Sequence, residues 1–181
     1  MVIEALRAAL EANTVGVRGP MTPAEARAAL GALDDAESGP IAVSPGDPLV
    51  AELGVVEHLA GRGADLLLPD APDWRDRLPQ AAIGVTAAHL AVADTGSLAH
   101  ICGPGAPRAV SLLPPVHVCL VALETVVPTF AEAVARFAAE PLPSAITWIG
   151  GPSRTGDLEM VTTLGVHGPS RVEVLLVDTN A

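Results

Sequence analysis

The chain has 181 residues, half of them hydrophobic, which suits one domain with a substantial core. Its formal charge is -11, from ten arginines, no lysine and 21 acidic residues, with no basic cluster to meet a nucleic-acid backbone or an anionic membrane surface. The missing lysine excludes Schiff-base chemistry and a lysine-bearing phosphate loop, the missing tyrosine excludes tyrosine nucleophiles, and two cysteines cannot ligate a four-thiolate cluster.

The first forty residues read as a helical arm. Val2, Ile3, Leu6 and Leu10 fall on one face of a first helix, with Glu4, Arg7 and Glu11 spaced for pairing on another. Gly16 to Pro20 interrupts, and Thr22-Pro23-Ala24-Glu25 is a capping box opening a second helix toward Leu33. The stretch Asp34 to Pro40 is the expected hinge between an arm, residues 1–40, and a main body, residues 41–181.

From Ile41 strands and helices alternate. Ile41 to Val43 predicts a short strand, Asp47-Pro48 a helix cap and first turn, and Leu49, Leu53 and Val56 that helix's apolar stripe. Ala64 to Leu68 and Ala81 to Val85 read as buried strands, with Pro72 to Leu78 a short helix between them. Strand candidates then follow at His89 to Ala93, Ser97 to Cys102, Ala109 to Leu113 and Val116 to Val121, a section suited to the antiparallel part of a mixed sheet. Thr129-Phe130-Ala131-Glu132 is a second capping box, with Phe130, Val134 and Phe137 as the buried face of its helix. Ala145 to Ile149 and Arg171 to Val177 complete a three-layer α/β/α domain with a mixed sheet.

Two turns are candidates for chemistry. Gly150-Gly151-Pro152-Ser153-Arg154-Thr155-Gly156-Asp157-Leu158-Glu159 follows a strand, and Ser153 or Thr155 could cap a helix starting near Gly156. Backbone N–H groups and a helix dipole would then receive phosphate or carboxylate, with Arg154 as a planar charged donor. Ala93-Asp94-Thr95-Gly96-Ser97 sets a carboxylate and two hydroxyls at a bend, although Asp and Gly are also ordinary hairpin formers. His167, between Gly165 and Gly168-Pro169, can approach a ligand closely and exchange a proton near neutral pH. The expected ligand set is Thr95, Gly96, Ser97, Gly151, Pro152, Ser153, Arg154, Thr155, Asp157 and Gly168, with Asp94 and His167 as candidate catalytic groups.

His117, inside a strand, reads as a hydrogen-bonded core residue, and Cys102 and Cys119 as small buried residues of a reducing compartment. No metal is expected, because His117, His167, Asp157 and Glu159 lack ligand spacing, and no Gly-x-Ser-x-Gly elbow points to a serine hydrolase. No apolar run reaches the ~20 residues of a membrane span. The start of the chain shows no signal-peptide pattern, so a cytoplasmic protein is expected.

Taken in order, Val92 to Ser97, Leu113-Pro114-Pro115-Val116-His117-Val118, Val126-Val127-Pro128, Ile149 to Glu159 and Gly165 to Pro169 resemble the LUD-domain family, and within it the short lactate utilization protein C group. The resemblance implies a fold related to the sugar-phosphate isomerase and CoA-transferase superfamily. It also implies a part in oxidising L-lactate to pyruvate beside two partner proteins, one or both carrying iron–sulfur clusters, with this chain as the subunit without a cluster. Three functions are open. The chain is a non-redox subunit holding a small anion at the Gly150 to Thr155 loop, or an autonomous enzyme or sensor for a phosphorylated or CoA-linked metabolite with Asp94 or Glu124 as base or nucleophile. Otherwise it is an adaptor that docks through its helical arm.

Overall fold

A computed structural model of the chain describes residues 1–139, 141–156, 162–164 and 167–181. The main sheet has six strands, all parallel: β1 (Gly16–Met21), β2 (Ile41–Val43), β3 (Leu66–Leu67), β4 (Ile83–Ala87), β7 (Val116–Ala122) and β12 (Arg171–Val177). Their spatial order is β1-β12-β7-β4-β2-β3. A second sheet, ordered β8-β5-β6-β9, holds β5 (Leu90–Val92), β6 (Ser97–Ile101), β8 (Val126–Val127) and β9 (Ile146–Ile149). There β6 runs antiparallel to β5 and β9 while β8 is parallel to β5, so the mixed character expected of the sheet resides in this smaller one.

Period-two alternation sorts the main sheet's side chains to two faces. Val43, Val85, Val118, Leu120 and Leu175 meet α2 (Pro23–Ala36), α3 (Pro48–Glu52) and α4 (Val55–Gly61) through Leu30, Leu49 and Leu59. On the opposite face Cys119, Val121, Val174 and Leu176 pack with Leu6 and Leu10 of α1 (Val2–Ala12) and with Ala91 and Leu98 of the second sheet. Ala42 and Leu67 on that side meet Trp74 of α5 (Trp74–Arg77) and Val110 of α6 (Ala109–Leu112). The second sheet's outer face is closed by Ala133 and Phe137 of α7 (Phe130–Ala138).

The interruption expected at Gly16 to Pro20 is strand β1, paired in parallel register with β12 from Gly16 opposite Glu173 to Met21 opposite Val177. Leu6, Leu10, Ala26, Leu30 and Leu33 are all buried, so residues 1–40 are built into the sheet and its two faces rather than hung from it. Arg7 donates to the carbonyls of Val17 and Gly19 as well as facing Glu11, tying α1 to that edge strand. Both helix starts read from capping residues are present: Thr22 accepts from the Glu25 N–H while Glu25 accepts from the Thr22 N–H, and Thr129 accepts from the Glu132 N–H.

Three local expectations fail. Ala109 to Leu113, read as a strand, holds helix α6, because a short apolar run has no decisive period and Gly84 leaves room for the Val110 carbonyl to press against β4. Ser153 opens no helix, since Arg154–Gly156 is β10, paired antiparallel with β11 (Thr162–Leu164), and the residues that Thr155 would cap lie outside the described ones. On α7 the buried residues are Ala133 and Phe137, whereas Phe130 is 38% and Val134 48% exposed. Phe130 lies over Trp148, ring centroids 4.6 Å apart, at the rim of the second sheet.

Candidate functional site

Chain order along the main sheet reverses between β2 and β4: from β2 the chain moves outward to β3 and then returns to β4 on the other side. Open parallel sheets bind ligands beyond the carboxyl ends of their strands at such a point. A cavity of about 460 Å³ lies there, lined by the segment after β2 (Gly46 to Leu49), the end of β4 and its continuation (Ala87 to His89), and the end of β7 with the turn after it (Ala122, Glu124, Thr125). Glu52 and Ile101 close its sides.

Asp47 is 4% exposed and is the inner polar group. Although it precedes α3 it makes no side-chain cap. Its Oδ2 accepts from the Ala87 N–H at 2.8 Å and its Oδ1 lies 3.2 Å from His100 Nε2, so the carboxylate ties three segments together. Glu124, Glu52 and His89 are exposed at the mouth. The Thr179 hydroxyl, just past β12, donates to Glu124 Oε1 at 2.8 Å, and the His89 ring stacks on Phe137 at 5.7 Å. With three carboxylates, one imidazole and no arginine, this lining favours a ligand that presents hydrogen-bond donors to it. Alanines at 87, 88 and 122 leave an apolar floor.

The residues singled out in the sequence gather elsewhere. Asp94 Oδ2 accepts from the Phe130 N–H at the start of α7, and the Thr95 hydroxyl donates to Ser97 Oγ at 3.0 Å. The Thr95 carbonyl accepts from Asn13 Nδ2 at the end of α1. Arg154 Nη2 donates to the Asn13 carbonyl at 2.8 Å and to the Thr14 hydroxyl at 2.7 Å. The Asp94–Ser97 and Gly151–Arg154 turns thus converge on the carboxyl end of α1, where Arg154 brings positive charge to the negative end of a helix dipole. Gly96 has φ +64°, and a Cβ there would stand 2.8 Å from the Ala9 carbonyl carbon. Gly151 has φ +142°, with its Cβ position 2.7 Å from the Asn13 oxygen. Both glycines are needed to lay these turns against α1.

Pro152 is buried, and Ser153 donates its N–H to the Pro169 carbonyl beside Gly168. His167 is exposed on the segment leading into β12, at the amino end of the main sheet and so at the opposite end from the cavity. Thr155 belongs to β10; Asp157 and Glu159 lie outside the described residues. His117 is fully buried, with Nε2 2.8 Å from the Thr86 hydroxyl, as expected of a core histidine. Burial, with a smaller effect from nearby His100, pushes its pKa down to about 3. Cys102 and Cys119 are both buried and free. No group of three or more His, Cys, Asp or Glu placed to hold a metal ion occurs among the described residues.

Of the cavity residues, Glu124 is a candidate base or nucleophile in the sequence and Asp47 reads there as a helix cap, whereas no local pattern singles out Glu52 or His89, nor His100 behind Asp47. The available signal was a polar residue just past each apolar parallel strand, at Asp47, His89 and Glu124, but it acquires meaning only once β2, β4 and β7 are known to lie side by side.

An open parallel sheet with a cavity at the switch point, joined to a small mixed sheet, defines an α/β domain. The LUD domain family model matches residues 4–177, and the chain belongs to that family. A lactate utilization protein C from Geobacillus sp. is 32% identical over 151 residues, 77% of this chain and 62% of the relative. The protein of the same name from Deinococcus radiodurans is 36% identical over 118 residues, 64% of this chain and 55% of the relative. The one from Halalkalibacterium halodurans is 35% identical over 108 residues, 57% of this chain and 47% of the relative. The chain therefore spans about half to three fifths of the length of these curated relatives. A crystal structure of a DUF162 family protein from Deinococcus radiodurans shares the fold, with TM-score 0.65 and 23% identity over 97% of this chain and 96% of that one. Among the described residues no helix is long and apolar enough to cross a membrane.

Proposed function

We propose that the chain serves L-lactate utilization as a subunit without an iron–sulfur cluster, working beside cluster-bearing partners and holding a small polar ligand in the cavity between β2, β4 and β7. The relatives' names support the lactate role, and two cysteines are too few for a four-thiolate cluster in this chain. The cavity carries the second half. It puts Asp47, Glu124 and His89 around an apolar floor, acceptors suited to a ligand hydroxyl or its proton. We place the ligand there rather than on the Gly151–Arg154 loop because Arg154 already serves the end of α1.

The test is affinity purification of the tagged chain, under anaerobic conditions, from its own cells grown on lactate, assayed for iron–sulfur absorbance and lactate-dependent dye reduction. Coloured, active material is expected, and Glu124→Gln should keep the partners while lowering the reduction rate. A colourless, inactive preparation would sink the subunit reading. Glu124 in the cavity would serve as base or nucleophile in one alternative, an autonomous enzyme, and turnover of a CoA-linked or phosphorylated metabolite by the purified chain alone would select it.

A further inference from the structure

From Asp47, which lines the cavity, a line of polar side chains leads behind the lining, and the ligand reading does not use its other members. Asp47 Oδ1 lies 3.2 Å from His100 Nε2, His100 Nδ1 lies 3.8 Å from Cys102 Sγ, and Cys102 Sγ lies 3.2 Å from the Thr147 hydroxyl. A carboxylate only accepts, so the ring proton sits on Nε2 and the Nδ1 lone pair is turned to the sulfur. The thiol is also 3.6 Å from the His100 carbonyl, which can accept a hydrogen bond but cannot take up a proton. His100 can do both.

The alignment is held by backbone. The Gly46 N–H donates to the Gly105 carbonyl at 2.9 Å, and a Cβ at Gly46 would fall 2.8 Å from the Gly105 carbonyl carbon. The loop bearing Asp47 and the turn just after Cys102 are thereby pressed together. His100 is fully buried, whereas Cys102 is 9% exposed and the next residue, Gly103, has open space where a Cβ would stand. Of Asp47, His100 and Cys102, the cysteine is thus the most exposed and lies next to an open turn, while Asp47 borders the cavity at the other end.

We propose that Cys102 is a nucleophilic thiol, with His100 as the base that takes its proton and Asp47 as the positioning residue that fixes the His100 tautomer. This is independent of which ligand fills the cavity. The site takes small, soft electrophiles, disulfides foremost. Sγ forms the new S–S bond while the old one breaks, the thiol proton passes to His100 Nδ1, and the departing thiolate recovers it. The electrons balance within the exchange, with the disulfide as oxidant.

The chain carries its own control, since Cys119 is fully buried and burial pushes its thiol up to about 12. The experiment treats the native chain with iodoacetamide near neutral pH and locates the adducts by peptide mass spectrometry. Cys102 should be alkylated while Cys119 stays unmodified until the chain is denatured. Asp47→Asn and His100→Gln should each slow Cys102 by about tenfold or more, and the pH profile of its alkylation rate should differ between the native chain and each folded variant. If His100→Gln does not fold, Asp47→Asn carries the test, checked for native circular dichroism. Cys102 reacting no faster than Cys119, or at an unchanged rate in the folded variants, overturns the proposal.

Discussion

Replacing His117 by glutamine should change how the protein responds to acid more than it changes stability near neutrality. The imidazole is fully buried on β7, its Nε2 2.8 Å from the Thr86 hydroxyl and its Nδ1 without a partner. Burial, reinforced by His100, sets its pKa at about 3 against an ordinary value of 6.5. Between those values the unfolded chain takes up a proton that the folded chain refuses. His117 therefore opposes folding progressively as pH falls below about 6.5, at about 1.4 kcal/mol per pH unit, and stops adding to the loss near pH 3. At about pH 4.5, two units below the ordinary value, the loss from this one group is about 3 kcal/mol. Urea unfolding of both proteins near pH 7.5 and near pH 4.5 measures it. Carboxylates contribute the same background to each, so the difference between the two pH dependences isolates His117. Glutamine keeps a hydrogen-bonding group toward Thr86 and cannot charge, and its stability should fall by about 3 kcal/mol less. Identical pH dependence in the two proteins would refute the reasoning.

Gly96→Ala forces a side chain into a left-handed backbone and against α1, so a loss of about 2 to 4 kcal/mol is expected in thermal or urea unfolding; an unchanged midpoint would mean that the turn does not bear on α1. Arg154→Ala removes the donor to Asn13 and Thr14 and should cost about 1 kcal/mol, with lactate-dependent reduction by the complex proposed above unchanged; lost activity at full stability would restore Arg154 as a ligand clamp. Thr22→Ala breaks the reciprocal cap of α2 and should lower stability by about 1 kcal/mol, read from the unfolding midpoint, and a neutral result would show that tertiary packing alone fixes that helix end.

Elements whose cause is local were legible in the sequence. Thr22 and Thr129 mark helix starts because a hydroxyl three residues before a glutamate meets orphan N–H groups whatever lies around it. Val116 to Val121, His117 apart, and Val174 to Leu176 are apolar because strand segments covered on both faces have no polar side to show. The burial of His117 followed from the same run. Cysteine and lysine counts bounded the chemistry before any coordinate, and the ordered segments from Val92 to Pro169 were enough to suggest the family to which the chain belongs.

What the sequence could not determine was neighbourhood. Gly16 to Met21 carries glycine and proline like a linker, and only its pairing with β12 makes it a strand. Ala109 to Leu112 is a helix because Gly84 admits the Val110 carbonyl against β4, a contact distant in sequence that no local period encodes. The glycine-rich turns looked like ligand loops because ligand loops and tight packing need the same thing, backbone without side chains. Tertiary structure laid two of them against the end of α1. It also assembled the cavity from Asp47, His89 and Glu124, residues 35 or more positions apart, because parallel strands bring their carboxyl ends together however far apart they lie in the chain.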